Sequence, residues 1–385
     1  MNFRFSIHTL ACALLALAAC GGGVETGGTG AYVQGPVAGF GSVIVAGVRF
    51  DDSTARVEDA DGSARDRSQL RLGMMVEIDS GPIGDDGSGG RAASASRVRV
   101  GSELLGPVTA SDPAGVQLAV LGQTVRLTPA SVVDGVAGGA AALAFGDIVE
   151  VHGFVDAQSA GYVATRIERR TGAPAAFRVR GVARNIDSAA RTLRIGSQTF
   201  DLAATGLPSG LADGSFVRLV LQTTQLAGRW VAASAVVESR RPDDRDDAEL
   251  EGLVDSFSSA TQFSVNGVRV DAVGAAASGV ALGARVKVRG RTQAGVLVAS
   301  SVSLRSDSEA FSDGADIRDA IASVDAAAQT FTLRGVTVFY GGTPGPRFDN
   351  GAASDLAVGR KVRVRATLAA DRTRLVATRI EFQNN

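Results

Sequence analysis

Short stretches in which apolar and polar residues alternate recur along the chain. Val286 and Val288 alternate with Lys287 and Arg289, which is the period of two expected for a β-strand with one buried face. Region 251–304 contains five such stretches, separated by turns and one Gly/Ala-rich loop. They are roughly Glu251–Phe257, Gln262–Asn266, Val268–Ala272, Arg285–Arg289 and Leu297–Leu304. The pattern predicts a small unit of five short strands.

This unit recurs five times, as three anchors in a fixed order show. The first is an opening glycine at Gly35, Gly106, Gly181 and Gly252, with Asp319 in the last copy. The second is Gly-x-x-Val-x-apolar, beginning at Gly73, Gly146, Gly214, Gly283 and Gly359. The third is apolar-Ala-small-x-apolar, beginning at Val163, Val231, Val298 and Val376, with a degenerate copy from Ser94. Repetition at a fixed period predicts duplication of one structural unit.

Hairpin turns are predicted between the second and third strand of each unit. Asn-Gly is the preferred pair for a two-residue type I′ turn, and Asn266-Gly267 stands at this point of the fourth unit. The other units have Ala46-Gly47, Gly122-Gln123, Gly196-Ser197 and Arg334-Gly335 there.

The fold class predicted is all-β: a tandem array of about five small OB-like five-stranded barrels. Five antiparallel strands with the longest connection between the third and fourth match an OB-like plan, and closure removes exposed strand edges. A flatter β-roll or half-barrel is the alternative. Because each unit can support a modest core, beads on a string are expected. The predicted segments are signal 1–20, tether 21–31 and repeats 32–103, 104–174, 175–242, 248–306 and 316–385. The charged stretches Arg240–Asp247 and Ser306–Asp316 are expected to be breaks between units.

The first twenty residues predict export and lipid anchoring. Arg4 precedes an apolar segment that is too short to span a bilayer, and Leu17-Ala-Ala-Cys20 resembles a bacterial lipobox. That resemblance implies cleavage before Cys20 and acylation of its thiol and amino group; a plain secretory signal is the alternative. Cys12 would leave with the signal, so no thiol would remain for a disulfide. Gly21, rather than Asp, implies the outer membrane by resemblance to lipoprotein sorting rules.

Three segments carry a resemblance to a known family. They are Gly39–Phe50 and the turn segments Asp187–Leu193 and Asp325–Phe331. They resemble the repeats of a bacterial domain-of-unknown-function family, number 5666. The resemblance implies an exported β protein of several copies and brings no known catalytic residues. Departures are local, such as Asp319 in place of the opening glycine.

Composition limits the chemistry that this chain can support. Of the 385 residues only 5% are aromatic, two are His, and the formal net charge is -1, which argues against a chain built to bind nucleic acid. His152 is the single histidine after the signal, and alternation predicts it on the surface. Cys/His metal sites and most nucleophilic catalytic sets therefore lack parts. Asp59, Asp61 and Asp66 have oxygen ligands that calcium could use, but they fit no calcium loop pattern, and solvated loops explain them better. No cofactor is predicted.

A row of basic residues is the surface that attracts most interest. Alternation predicts that it faces outward, and its members are Arg285, Lys287, Arg289, Arg291, Lys361, Arg363 and Arg365. Such a face could bind polyanions. Protection of an edge strand by Lys and Arg explains the same residues.

Three functions follow as hypotheses. The first is a non-enzymatic, lipid-anchored envelope protein that acts as a spacer, an adhesion module or a protein-interaction module. The second is a module that binds anionic envelope or extracellular polymers through the basic strands of repeats 4 and 5. The third is a hydrolase, which would need carboxylates from different repeats in one cleft.

Overall fold

The chain folds into strands joined by short turns. A computed structural model describes residues 30–87, 89–238, 242–306 and 315–383. The signal, Cys20 and most of the tether lie outside the described residues. Within them no helix is long and apolar enough to cross a membrane.

Twenty-nine strands, β1 to β29, form five units, here called barrels 1 to 5. Barrel 1 contains β1 Ala31–Phe40, β2 Val43–Val45, β3 Val48–Asp51, β4 Arg56–Asp59, β5 Met75–Ser80, β6 Gly84–Asp85 and β7 Arg91–Val100. Barrel 2 contains β8 Leu104–Ser111, β9 Gln117–Val120, β10 Gln123–Asp134, β11 Ile148–Asp156 and β12 Gly161–Arg169. Barrel 3 contains β13 Phe177–Asp187, β14 Thr192–Ile195, β15 Gln198–Asp201, β16 Phe216–Leu221 and β17 Trp230–Val237.

Barrel 4 contains β18 Arg245–Ser259, β19 Gln262–Val265, β20 Val268–Asp271, β21 Arg285–Gln293 and β22 Val296–Leu304. Barrel 5 contains β23 Ala315–Ala320, β24 Ser323–Asp325, β25 Thr330–Leu333, β26 Val336–Phe339, β27 Arg347–Asp349, β28 Lys361–Leu368 and β29 Leu375–Phe382. Barrels 1, 2 and 5 each have a single 3-10 turn before the strand that carries the valine of the Gly-x-x-Val anchor, here called the fourth principal strand. These turns are Arg67–Gln69, Ala140–Ala142 and Ala353–Asp355.

Each unit is a closed barrel with OB-like strand order, as the sequence predicts. In barrel 4, β18 pairs with β19 and β21, β19 pairs with β20, and β21 pairs with β22, all antiparallel. The parallel pair β20–β22 closes the barrel. The same order closes barrels 1, 2, 3 and 5. The alternative of a flatter β-roll is therefore not what the chain forms.

The first two sequence anchors are cross-strand partners in every barrel. The residue of the first anchor, on the first strand of each barrel, lies opposite the valine of the Gly-x-x-Val anchor on the fourth principal strand. The pairs are Gly35–Val76, Gly106–Val149, Gly181–Val217, Gly252–Val286 and Asp319–Val362. The two anchors recur together because they fix one register, which keeps the valine inside.

The hairpin turns fall where the sequence predicts, with one exception. Asn266 and Gly267 have φ of 50° and 80°, as a type I′ turn requires. In barrel 2 the turn is Leu121-Gly122, with φ of 53° and 76°, so the prediction of Gly122-Gln123 is one residue too late. Gln123 already begins β10, and the side chain of Leu121 is fully buried.

The barrels pack against one another, so the expectation of beads on a string is wrong. One edge of β1 pairs in parallel with β18 over Ala31–Gln34, and a later part pairs in parallel with β23 at Gly39 and Phe40. The first strands of barrels 2 and 3 also pair, with Leu105 opposite Arg178. Barrels 1 and 5 share one core, barrels 2 and 3 share another, and Tyr32 of barrel 1 joins the core of barrel 4.

The physical reason lies in the edges of the first strands. At these residues each first strand pairs with its own barrel along one edge only, and another first strand pairs with the edge that remains. The expected break at Arg240–Asp247 is accordingly shorter than predicted, because β18 begins at Arg245 and its Asp247 pairs with Ala31. Ala315 and Asp316 likewise already belong to β23. The residues between 306 and 315 lie outside the described part.

Candidate functional site

The basic row does not form one outward face. Arg285 and Lys287 are each 6% exposed, which corrects the prediction that both point to solvent. Arg285 ion-pairs with Glu251 at 2.7 Å and lies 5.3 Å from the ring centre of Phe154 in barrel 2. The alternation was correctly identified, but the face that it defines is covered by the neighbouring barrels.

Glu249 is the centre of the charge cluster that covers this face. It is 1% exposed and accepts ion pairs from Lys287 of its own barrel and from Arg91 of barrel 1. Arg289 adds a third at 3.3 Å. The Lys287 ammonium also donates to the backbone oxygen of Ala46 in barrel 1. Burial lowers the pKa of Lys287, and the Glu249 charge opposes that effect. The Lys287 charge is therefore used inside the protein, at the junction of barrels 1 and 4.

A second cluster joins barrels 1 and 5. Asp316 on β23 accepts hydrogen bonds from Arg363 of its own barrel at 2.6 and 2.9 Å and from Arg49 of barrel 1 at 2.7 Å. Burial alone would raise the pKa of Asp316, but both guanidinium groups outweigh it, and the pKa lies below its usual range. Arg363 is thus half-buried and neutralised, again unlike the prediction.

The remaining members of the row do lie on the surface. Arg289, Arg291, Lys361 and Arg365 are exposed. They belong to two different barrels, on β21 and β28. Because Arg285 and Lys287 are buried and Arg363 is half-buried, the exposed basic residues lack the regular spacing that suggested a polyanion face.

His152 is buried, and its predicted surface position is wrong. It is 1% exposed, and its Nδ1 lies 2.9 Å from the backbone oxygen of Gly101 at the end of barrel 1. Its Nε2 has no hydrogen-bond partner among the described residues. The alternation rule placed it outside barrel 2 correctly, but the segment that connects barrels 1 and 2 covers it. Burial lowers its pKa, an effect that Glu150 opposes and that Arg166 and Arg65 reinforce.

The acidic loops and the tryptophan have local structural contacts. Asp61 and Asp66 accept backbone hydrogen bonds from Ser63 and Ser68, each two residues ahead, the usual use of Asp in turns. Among the described residues no group of three or more His, Cys, Asp or Glu is arranged to hold a metal ion. Trp230 is 6% exposed and packs edge-to-face on Phe177 at 5.5 Å, as expected for a core position.

An open cleft of about 650 Å³ lies between barrels 3 and 4. One wall carries Ser256, Ser264 and Arg269, which are neighbours across the first three strands of barrel 4. Arg184 of barrel 3 and the 41% exposed ring of Phe257 also line it. A cleft of this size, with charged, hydroxyl and aromatic groups, is typical of a ligand site.

The sequence analysis singled out none of these cleft residues, and it also missed Glu249. For Glu249 a signal existed, because pairing the opening glycine with the anchor valine puts Glu249 and Glu251 opposite Arg289 and Lys287. For Arg184 and Arg269 the chain offers no signal, since they come together only through the packing of two barrels.

The strand order and the shared anchors define an all-β protein of tandem OB-like barrels. Three regions of the chain, residues 106–168, 251–303 and 320–381, match the family model described as Domain of unknown function (DUF5666), which is consistent with repeats of that domain. They correspond to barrels 2, 4 and 5, and barrels 1 and 3 have the same strand order. Comparison with curated proteins returned no match.

Proposed function

We propose that this is a non-enzymatic, lipid-anchored protein of the bacterial cell envelope, held at the outer membrane, that acts as a rigid interaction module. The observation that carries the proposal is the pairing of β1 with both β18 and β23. It joins three barrels into one 19-stranded sheet, so the barrels form a compact body. Such a body suits the presentation of a fixed surface better than the separation of two partners along a string.

The lipid anchor rests on the sequence Leu17-Ala-Ala-Cys20. Between Cys20 and the start of β1 at Ala31 lies a Gly-rich segment. A Gly-rich tether of about ten residues has a root-mean-square reach of roughly 18 Å. The barrel body would therefore stay close to the membrane surface. This favours contact with neighbouring envelope components over a long-range spacer role.

The non-enzymatic part of the proposal is supported by how the carboxylates are used. A hydrolase of the paired-carboxylate type needs two carboxylates in one cleft in different states of protonation. In the cleft between barrels 3 and 4, Glu238 is held by Arg180 at 2.7 Å and by Arg218 at 3.0 Å. Asp255 accepts from the Ser264 hydroxyl and from the backbone amide of Gly267. Both carboxylates are thus held by structural partners.

The anchor is tested with a matched pair of cysteine substitutions. Cys20→Ser should abolish labelling by radioactive palmitate and release the protein from the membrane pellet. Cys12→Ser, which removes the other cysteine, should retain both. A Cys20→Ser protein that stays labelled in the membrane pellet would disprove the anchor.

The interaction module is tested by cross-linking in intact cells. The anchored protein should give discrete cross-linked products that disappear in the Cys20→Ser protein, because contact depends on position at the membrane. A wild-type protein that gives no such products, or that hydrolyses isolated envelope polymers, would contradict the proposal.

A further inference from the structure

The cleft between barrels 3 and 4 has a counterpart that is already filled within the same molecule. The strand registers make Ser256, Ser264 and Arg269 of barrel 4 equivalent to Gly39, Ile44 and Arg49 of barrel 1. In barrel 1 this face is covered by β23 of barrel 5, and Arg49 donates to the Asp316 carboxylate at 2.7 Å. In barrel 1, where this face is occupied, the arginine at this position therefore binds a carboxylate.

The barrel 4 face keeps the arginine and the phenylalanine, has serines in place of Gly39 and Ile44, and lacks the cover. Phe40 of barrel 1 is 1% exposed, whereas the equivalent Phe257 is 41% exposed. Arg269 and Arg184 are both exposed, and neither has an acceptor within the part of the chain that the structure describes. The carboxylates of the cleft are held by partners in their own barrels, so both guanidinium groups are available to an anion.

The cover cannot be another β-strand docked as in barrel 1. A Cβ on Gly39 would clash with the backbone oxygen of Asp316, so β23 can approach only because residue 39 is glycine. Barrel 4 has Ser256 at this position, and its side chain keeps a strand from coming as close. The open cleft instead presents two guanidinium groups and two serine hydroxyls, which suit a carboxylated ligand.

We propose that this cleft binds an acidic oligosaccharide, with its carboxylates on Arg184 and Arg269. Bidentate guanidinium–carboxylate pairs are the strong, directional contacts of such a site. Ser256 and Ser264 offer hydroxyls to the sugar hydroxyls. The Ser264 hydroxyl already donates to Asp255, so its oxygen is oriented to accept. The exposed Phe257 ring provides an apolar surface for the face of a sugar ring.

Calorimetric titration of the full chain in detergent tests the site. The probes are trigalacturonate and a hyaluronan tetrasaccharide, with maltotriose as the neutral control. Trigalacturonate or the hyaluronan fragment should bind, and maltotriose should not. Arg184→Gln and Arg269→Gln should each weaken binding about tenfold or more, since each removes a charged hydrogen-bonding partner. Binding should also weaken as salt is raised.

Arg365→Gln on barrel 5 is the matched control, because Arg365 is exposed and lies on another barrel. It should bind like the wild type. The proposal is overturned if neither acidic oligosaccharide binds, if maltotriose binds equally well, or if Arg365→Gln causes the same loss as Arg269→Gln. Tighter binding of a tetra-aspartate peptide than of both acidic sugars would also overturn it, and would point to a protein ligand.

Discussion

Arg334 forms an ion pair with Asp319 in barrel 5. Asp319 occupies the opening position, where the other four barrels have a glycine. Arg334 is the first residue of the hairpin turn, equivalent to Asn266 in barrel 4. In barrel 4 the Asn266 side chain lies so close over Gly252 that a Cβ there would clash with it. Leu121 packs in the same way over Gly106 in barrel 2. In these two barrels the side chain of the turn residue requires glycine at the opening position, whereas in barrel 5 Asp319 is accommodated by a charged partner.

Asp319→Asn and Arg334→Asn are expected to show coupling in a double-mutant cycle. Residue 334 has a positive φ of 49°, and asparagine tolerates positive φ better than most residues do. Both side chains are partly exposed, so the coupling should be about 0.5–1 kcal/mol and should fall with salt. Urea unfolding followed by circular dichroism measures it. The exposed pair Asp371 and Arg374 is the comparison and should show almost no coupling; equal values for both pairs would contradict the expectation.

The sequence allowed the barrels to be predicted because their signals are local. The opening glycine, the anchor valine and turns such as Asn266-Gly267 all act within one unit. Contacts between units left no such signal. Alternation correctly placed Lys287 outside the barrel 4 core. The outer face of barrel 4 is itself buried there, however, because barrel 1 packs against it. His152 was misplaced for the same reason, because the covering segment at Gly101 belongs to a neighbouring unit.

Lys287→Gln should destabilise the protein without reducing its affinity for polyanions. Loss of the ammonium leaves Glu249, 1% exposed, with only Arg91 and Arg289. Removing one partner of a buried pair costs about 3–5 kcal/mol, and the two remaining arginines should keep the cost near the lower end. Lys361→Gln, at an exposed position, should change the unfolding free energy by less than about 0.5 kcal/mol. Retention on a heparin column should be unaffected by Lys287→Gln in folded protein; a large loss of retention with unchanged stability would contradict its burial.

His152 should make the protein less stable as the pH falls below about 6.5, the ordinary pKa of histidine. Burial holds its pKa in the folded state below that value, so the unfolded chain binds the proton first. The stability is complete above the unfolded pKa and is lost as the pH falls toward the folded pKa, by up to about 1.4 kcal/mol per pH unit. His152→Gln should remove this part of the slope between pH 7 and pH 5. Urea unfolding at several pH values measures it, and an identical slope in the variant would show that other groups cause it.

Gly39→Ala should separate barrel 5 from barrel 1. The added Cβ would clash with the backbone oxygen of Asp316, so the β1–β23 pairing at Gly39 and Phe40 should be lost while each barrel keeps its own strands. Small-angle X-ray scattering should then show a larger radius of gyration, and proteases should cleave faster between barrels 4 and 5. Gly81→Ala is the control, because a Cβ on Gly81 meets open space, and it should change neither result. If Gly39→Ala leaves both measurements at the wild-type values, the β1–β23 pairing does not hold barrel 5 in place.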